Sequence, residues 1–123
     1  MRRGQFDRLV SRALDDLPRQ FAERLKNIVV IVEARPSREI ARELGGDILG
    51  LYQGASEFEQ SPMAAYALPE VIVVYQQNIE AICRSEEEII EEVRKTVIHE
   101  IGHHFGLSDE QMEILESESN GGA

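Results

Sequence analysis

A pair of histidines four residues apart constrains the fold of this chain more than any other feature of its sequence. The residues are His99 and His103, and Glu100 directly follows the first of them. On an α-helix this spacing puts both imidazoles on one face, about one turn apart. Two neutral imidazoles that face the same way supply half of a tetrahedral zinc shell. Beside them, Glu100 has the position of a general base that deprotonates water in a metallohydrolase.

The third protein ligand of such a site is expected to be Asp109. A catalytic zinc site has three protein ligands and one open position, but a straight helix would carry Asp109 roughly 9 Å beyond His103 along its axis. Gly106 resolves this, because a glycine just past the last turn often adopts the left-handed conformation that ends a helix. The chain can then fold back towards the imidazoles. If that turn does not form, three later carboxylates are alternative ligands: Glu110, Glu113 and Glu116.

Other polar residues near the motif have simpler interpretations. His104 lies about 140° around the helix from His99, so it cannot share the same metal, and we expect it to pack or to form hydrogen bonds. The lone cysteine, Cys83, is expected to be a small residue of the core or of a helix end. Three tyrosines are candidate donors to an oxyanion, although packing accounts for them more simply: Tyr52, Tyr66 and Tyr75.

The composition predicts one globular domain over residues 1–123. A chain of 123 residues with 42% hydrophobic content can form a single modest core. No apolar run approaches the ~20 residues needed to cross a membrane, and no signal-peptide core follows the N-terminus. A single cysteine suits a reducing compartment, so we expect a cytoplasmic location. The net charge of −10 argues against nucleic-acid binding, which uses basic surfaces to neutralise phosphates.

The N-terminal part of the chain is predicted to be helical and then extended. Residues 4–26 carry apolar side chains at i, i+3 and i+4 spacing, which is typical of a helix with one buried face. Pro18 interrupts this pattern, and Asp16 is placed to cap a second helical segment. The β-branched run at 27–33 predicts a largely buried strand.

The middle of the chain is predicted to contain two more strands. Ser37 is expected to cap a short helix that ends at Leu44, before two glycines. Residues 49–54 and 71–75 have the composition of strands, and residues 55–68 between them predict a long loop.

The C-terminal part is dominated by one long helix. A helical turn is expected at 79–83, and Ser85 with Glu88 forms the pattern of a capping box at the start of a helix over 86–105. Residues 117–123 are expected to fray. The order of elements predicts an α+β fold in which a small mixed sheet packs against helices, with the long motif-bearing helix near the C-terminus.

The extended motif also resembles the signature of a known family. Residues 99–110 read His-Glu-Ile-Gly-His-His-Phe-Gly-Leu-Ser-Asp-Glu, which is similar to the HExxHxxGxxD signature of the bacterial minimal zincins, a family of small metallopeptidase-like proteins. Residues 49–54, 71–75 and 93–97 are similar to that family as well. The resemblance therefore covers nearly the whole chain.

The resemblance implies a zincin-like fold with one Zn²⁺ ion. The residues that match the family's zinc ligands are His99, His103 and Asp109, and Glu100 matches its general base. The Met-turn of the larger metzincins cannot be placed, because Met112 is only three residues past Asp109 and is better explained by helix packing.

Two hypotheses about function follow. In the first, the chain is a zinc-dependent metallopeptidase in which the metal activates water and Glu100 moves its proton. An extended peptide or protein substrate would then lie along an edge strand. In the second, the chain is a non-catalytic zinc-binding module in which the metal stabilises a protein-interaction domain. The first is favoured, because a structural site normally closes the fourth position with another protein ligand and would give Glu100 little to do.

Overall fold

A computed structural model of the protein describes residues 1–54 and 70–121, with side chains for residues 1–54 and 70–117. The elements in these ranges alternate between short helices and strands until a long helix begins near residue 86. In chain order they are α1 (Arg3–Asp15), α2 (Arg19–Arg24), a 3₁₀ turn (Leu25–Asn27), β1 (Ile28–Glu33), α3 (Arg38–Leu44), β2 (Gly50–Gln53), β3 (Glu70–Tyr75), α4 (Gln76–Ile82), α5 (Glu86–His104) and α6 (Asp109–Gly121).

The strands form one mixed sheet with the order β1-β3-β2. The central strand β3 pairs in parallel with β1, so that Ile28 lies opposite Glu70. On its other side β3 pairs antiparallel with β2, so that Gly50 lies opposite Val74. Among the described strands, β1 and β2 are therefore the two edges. Strand β2 lies against α5, and this contact brings the sheet to the motif helix.

The hydrophobic core lies between one face of the sheet and the helices α1 and α5. Each large apolar side chain that is fully buried stabilises the fold by about 1.5–3 kcal/mol relative to the same side chain left exposed. The buried set follows the helical spacing expected from the sequence in α1 (Phe6, Leu9, Val10 and Ala13) and in α5 (Ile89, Val93, Val97, Ile98 and Ile101). Met112 of α6 is also fully buried in this cluster, which confirms its interpretation as a packing residue.

The predicted fold class and strands are confirmed. The helical region at 4–26 is interrupted at Pro18 as expected, and Ser37 caps α3 by accepting a hydrogen bond from the Ile40 N–H. The helical turn expected at 79–83 is the C-terminal part of a full helix, α4. The predicted loop at 55–68, which includes Tyr66, lies outside the described residues. In the part of the chain that is described, no helix is long and apolar enough to pass through a membrane.

Three local predictions are wrong. Asp16 does not cap α2, because Pro18 occupies the N-cap position with a φ of −55°, a value that its ring fixes and that suits the entry to a helix. Strand β1 is not largely buried: its alternate residues Val29 and Ile31 are exposed, since only one face of this edge strand meets the helices. The C-terminal segment does not fray at residue 117, because α6 continues to Gly121.

Candidate functional site

The motif lies in the last turns of α5, and the sequence fixes where that helix begins. The Ser85 hydroxyl accepts a hydrogen bond from the Glu88 N–H at 3.1 Å, which satisfies one free donor of the first turn. The Glu88 carboxylate accepts from the Arg84 N–H at 2.6 Å, one residue before the position that a capping box uses. Acidic residues fill the first turn, where they complement the positive end of the helix dipole.

The end of α5 is a Schellman turn built on Gly106. This glycine has a φ of +79°, the left-handed region that the sequence predicted for it. The Leu107 N–H donates to the Gly102 carbonyl at 2.8 Å, and the Gly106 N–H donates to the His103 carbonyl at 3.1 Å. The turn reverses the chain so that α6 begins at Asp109 and returns alongside α5. The mechanical role expected of Gly106 is therefore confirmed.

The turn brings the predicted ligands to one end of α5. The Asp109 Oδ1 atom lies 3.0 Å from Nε2 of His103. The rings of His99 and His103 are nearly parallel, with centroids 6.1 Å apart and an angle of 19° between their planes. The side chains of His103 and Asp109 are 55% and 76% exposed, so a metal ion or a substrate has open access to them.

The chemistry of these donors fits zinc. Two imidazole nitrogens and a carboxylate oxygen are ordinary zinc ligands, and two ligand atoms of a tetrahedral shell lie about 3.3 Å apart at the usual bond lengths. The 3.0 Å between His103 Nε2 and Asp109 Oδ1 is close to that separation. Within the described residues, however, no three His, Cys, Asp or Glu side chains converge on one point. His103 and Asp109 are instead paired with each other through the atoms that a metal would use.

Glu100 lies on the side of α5 that faces the sheet. Its Oε1 atom accepts a hydrogen bond from the backbone N–H of Tyr52 in β2, at 2.9 Å. Burial raises the pKa of the Glu100 carboxyl above its ordinary value, while the hydrogen bond from the Tyr52 N–H and electrostatic interactions with His103 and His99 oppose the shift. A carboxyl with a raised pKa is better matched to proton transfer near neutral pH than an exposed one.

His104, Tyr52 and Glu70 form a cluster next to Glu100. The Tyr52 ring stacks on His104 with centroids 4.0 Å apart, and its hydroxyl donates a hydrogen bond to Glu70. Nε2 of His104 lies 3.7 Å from the Glu70 carboxylate. The packing role predicted for His104 is confirmed. The part played by Glu70 was missed, since nothing in the local sequence relates this residue at the start of β3 to a histidine 34 positions later.

The tyrosines are poorly placed for an oxyanion. The Tyr52 hydroxyl is engaged with Glu70, and burial together with this carboxylate raises the pKa of Tyr52 above its ordinary value. Tyr75 is fully buried, and its hydroxyl has no hydrogen-bond partner among the described residues, so it lies out of reach of a substrate at the exposed imidazoles. Tyr66 lies outside the described residues. No tyrosine in the described ranges therefore offers a free hydroxyl at the site.

In the described part of the chain, no hydrogen bond or ion pair joins the alternative ligands to the histidines. Glu116 is directed to Arg94 at 2.8 Å, while Glu110 and Glu113 are exposed on α6. Cys83 is partly buried after α4, as expected of a helix-end residue, and burial raises the pKa of its thiol. An open cleft of about 500 Å³ lies beyond the C-terminal end of α5 but contains none of the predicted ligands; it is lined by Gln20, Glu23, Arg24, Asn27, Glu70 and Phe105.

Comparison with known proteins agrees with this arrangement. Residues 25–119 match the zincin-like metallopeptidase family, a range that includes the whole sheet, the motif helix and nearly all of α6. The chain belongs to the zincin-like metallopeptidases. No curated protein matches the chain. Membership of this family confirms the resemblance to the minimal zincins and implies zinc as the metal and a peptide or protein as the substrate.

Proposed function

We propose that this chain is a zinc-dependent peptidase in which His99, His103 and Asp109 bind one Zn²⁺ ion and Glu100 is the general base. The observation that carries the proposal is the placement of Asp109 by the glycine turn, with its Oδ1 atom 3.0 Å from Nε2 of His103 and the parallel ring of His99 beyond it. When bound, zinc would act as a Lewis acid on the scissile carbonyl and lower the pKa of a water molecule.

Glu100 is the residue to which we assign the proton transfers of peptide hydrolysis. Its carboxylate would accept the proton of the attacking water and return it to the leaving amine nitrogen. The hydrogen bond from the Tyr52 N–H to Oε1 leaves Oε2 as the second oxygen for this exchange. Burial against β2 keeps the side chain in one place, so that little reorganisation is needed when a substrate arrives.

Strand β2 is the edge that we assign to the substrate. It is the described edge strand nearest to Glu100, whereas β1 lies on the far side of β3. An extended peptide that adds to this edge would gain main-chain hydrogen bonds, with side-chain pockets giving specificity. The sequence allowed either edge, and the contact between Tyr52 and Glu100 favours β2.

The rival function, a zinc module without catalysis, has less support. A structural zinc site usually has four protein ligands. In the described part of the chain, Glu116 is bound to Arg94, and no hydrogen bond or ion pair joins Glu110 or Glu113 to the histidines. Glu100 would also have no role in a structural site. This rival remains one outcome of the experiment below.

The experiment that tests the proposal is a digest of a diverse peptide library by the zinc-loaded protein, read by mass spectrometry. Glu100→Gln should lower cleavage by at least about 100-fold, the lower range for loss of a general base, while zinc binding is retained. His99→Ala should lose both cleavage and zinc. The matched control is Glu87→Gln, which removes the same charge from an exposed position in the first turn of α5.

Each outcome leads to a different conclusion. Cleavage by the wild type that Glu100→Gln loses and Glu87→Gln retains would support the peptidase. Cleavage by Glu100→Gln at the wild-type rate would contradict the role of Glu100. Zinc binding by a wild type that cleaves nothing would favour the non-catalytic module instead.

A further inference from the structure

Arg94 is a buried cation in the middle of α5 that joins three parts of the chain. Its side chain is 3% exposed, and its Nη1 atom lies 2.8 Å from the Glu116 carboxylate of α6. Its Nε atom donates to the Asp16 carbonyl at the end of α1, at 3.2 Å. Glu91 on the same helix lies 3.5 Å from Nη1. The metal site uses none of these contacts directly.

The face of α6 that meets Arg94 also carries Asp109. Residues 109, 112 and 116 are separated by three and four positions, so they lie on one side of a helix. Along that side, Asp109 contacts His103, Met112 contacts Gly102, and Glu116 contacts Arg94. Helices α5 and α6 therefore meet in an antiparallel order, with the ligand pair at one end of the interface and the ion pair at the other.

The position of Asp109 depends on how α6 is attached. Asp109 is the first residue of its helix and is 76% exposed, and His103 is its polar partner. The Glu116 side chain, by contrast, is only 14% exposed and is bound to a buried cation. Because a helix moves nearly as a rigid rod over two turns, a contact at Glu116 restrains the direction in which Asp109 points.

We propose that the Arg94–Glu116 ion pair is a positioning contact that holds Asp109 in place as the third zinc ligand. The inference rests on the proposed metal site and assigns a role to two residues outside it. The ion pair selects the docked arrangement of α6, and only a docked α6 presents Asp109 beside His103. Loss of the pair lowers the fraction of molecules competent to bind zinc, which raises the apparent dissociation constant by the same factor.

The test compares Glu116→Ala and Glu116→Gln with Glu113→Ala. Glu113 is an exposed glutamate on the same helix and lies closer to Asp109 in the sequence than Glu116 does. Its replacement by alanine removes the same negative charge as Glu116→Ala and therefore controls for the effect of that charge on the metal. By chelator competition, Glu116→Ala should raise the zinc dissociation constant by about 10- to 100-fold, as for residues that support metal ligands. Glu116→Gln, which keeps an acceptor for Arg94, should raise the zinc dissociation constant less. The dissociation constant of Glu113→Ala should stay within about twofold of the wild-type value.

Two further measurements separate positioning from a general loss of stability. The visible spectrum of the Co²⁺-loaded Glu116→Ala protein should shift towards that of Asp109→Ala, because the carboxylate is the ligand that is lost. In the metal-free protein, hydrogen exchange should accelerate in the first turns of α6 and remain unchanged in α1 and β3. A zinc affinity of folded Glu116→Ala equal to that of Glu113→Ala would overturn the inference.

The remaining outcomes are also decisive. If Glu116→Ala does not fold, Glu116→Gln carries the test, and an unchanged zinc affinity in that variant overturns the inference. If the wild type binds zinc no better than His99→Ala, the proposed metal site fails. Hydrogen exchange of the metal-free variants then decides separately whether the ion pair holds the start of α6, and unchanged exchange there overturns that role.

Discussion

The two sides of the C-terminal half of α5 are held in different ways. On the side that faces β2, Glu100 is bound by the Tyr52 N–H, and His104 is stacked on the Tyr52 ring. On the adjoining side, roughly 60° around the helix from Glu100, His103 is largely exposed and pairs with the exposed Asp109 of α6. The first side is fixed by the sheet, whereas the second depends on one glycine turn and on the docking of α6.

This difference separates the proposed base from the proposed ligands. The base needs no metal to take its position, because its contacts come from β2. The ligand side gains its final geometry only when α6 is docked, so metal binding and helix docking are coupled. Damage to the sheet side should therefore reduce hydrolysis more than zinc binding, and damage to the α6 side should do the reverse.

Gly102→Ala should break the ligand side and should give one of the two largest effects on stability. A Cβ atom at this position would lie 2.0 Å from Sδ and 2.8 Å from Cγ of the fully buried Met112. Overpacking of this kind costs about 1–3 kcal/mol, partly offset by the higher helix propensity of alanine. We expect a lower free energy of unfolding by urea denaturation and weaker zinc binding. The double variant with Met112→Val should recover both, and failure to do so would rule out the contact as the cause.

Gly50→Ala should disrupt the sheet side and lower the stability of the protein by a similar amount. Its Cβ atom would lie 2.6 Å from Cγ2 of Thr96 and 3.0 Å from the Val73 carbonyl, so β2 must shift away from α5. We expect a loss of about 1–3 kcal/mol in stability and a larger loss in peptide cleavage than in zinc affinity. Gly4→Ala is the control, since no atom in the described part of the chain lies within 4 Å of a Cβ atom there. Equal losses of cleavage and zinc affinity would contradict the separation of the two sides.

Gly106→Ala tests the turn without any steric clash. No atom of the described residues lies within 4 Å of a Cβ built at Gly106, so the expected cost comes from the left-handed backbone at a φ of +79°. That conformation costs a residue with a side chain roughly 1–2 kcal/mol, and Gly106→Asn should cost less. Zinc affinity should fall in the order glycine, asparagine, alanine. The same affinity in all three would show that the turn does not position Asp109.

The sequence predicted the ligand side of the site better than the sheet side. The spacing of His99 and His103, the glycine and the aspartate lie within eleven residues, and local rules for helices and helix ends connect them. The Schellman turn follows from those rules. For the same reason the capping of α5 by Ser85 was predictable, as were the helical spacing of its buried face and the short strands.

Contacts between distant residues could not be predicted in this way. Tyr52 and Glu70 are 18 positions apart, and Arg94 and Glu116 are 22 apart, so no local pattern marks them as partners. The pairing order of the strands depends on a crossover that places β3 between β1 and β2. The error about β1 has the same origin, since an apolar composition does not reveal which face of a strand a helix will cover.

Tyr52→Phe should give the smallest effect and sharpens the comparison further. The change removes the hydroxyl that donates to Glu70 but keeps the ring on His104 and the backbone N–H that binds Glu100. One hydrogen bond of this kind contributes about 1 kcal/mol. The free energy of unfolding should fall by about that amount near neutral pH, and zinc affinity should stay within about twofold of the wild type.

The pH dependence of this difference identifies its source. The pKa of Tyr52 is raised in the folded protein, so the neutral hydroxyl is favoured there, and its contribution is fully present below the ordinary tyrosine pKa of about 10. Above pH 10 the unfolded chain ionises first, and the advantage of the wild type over Tyr52→Phe should decline. Urea unfolding at pH 7 and pH 10.5 measures this advantage. The pKa of Tyr75 is raised as well, but its contribution is common to both proteins and cancels in the difference between them. A constant advantage at both pH values would mean that the Tyr52 hydroxyl ionises alike in the folded and the unfolded protein, which would contradict its bond to Glu70.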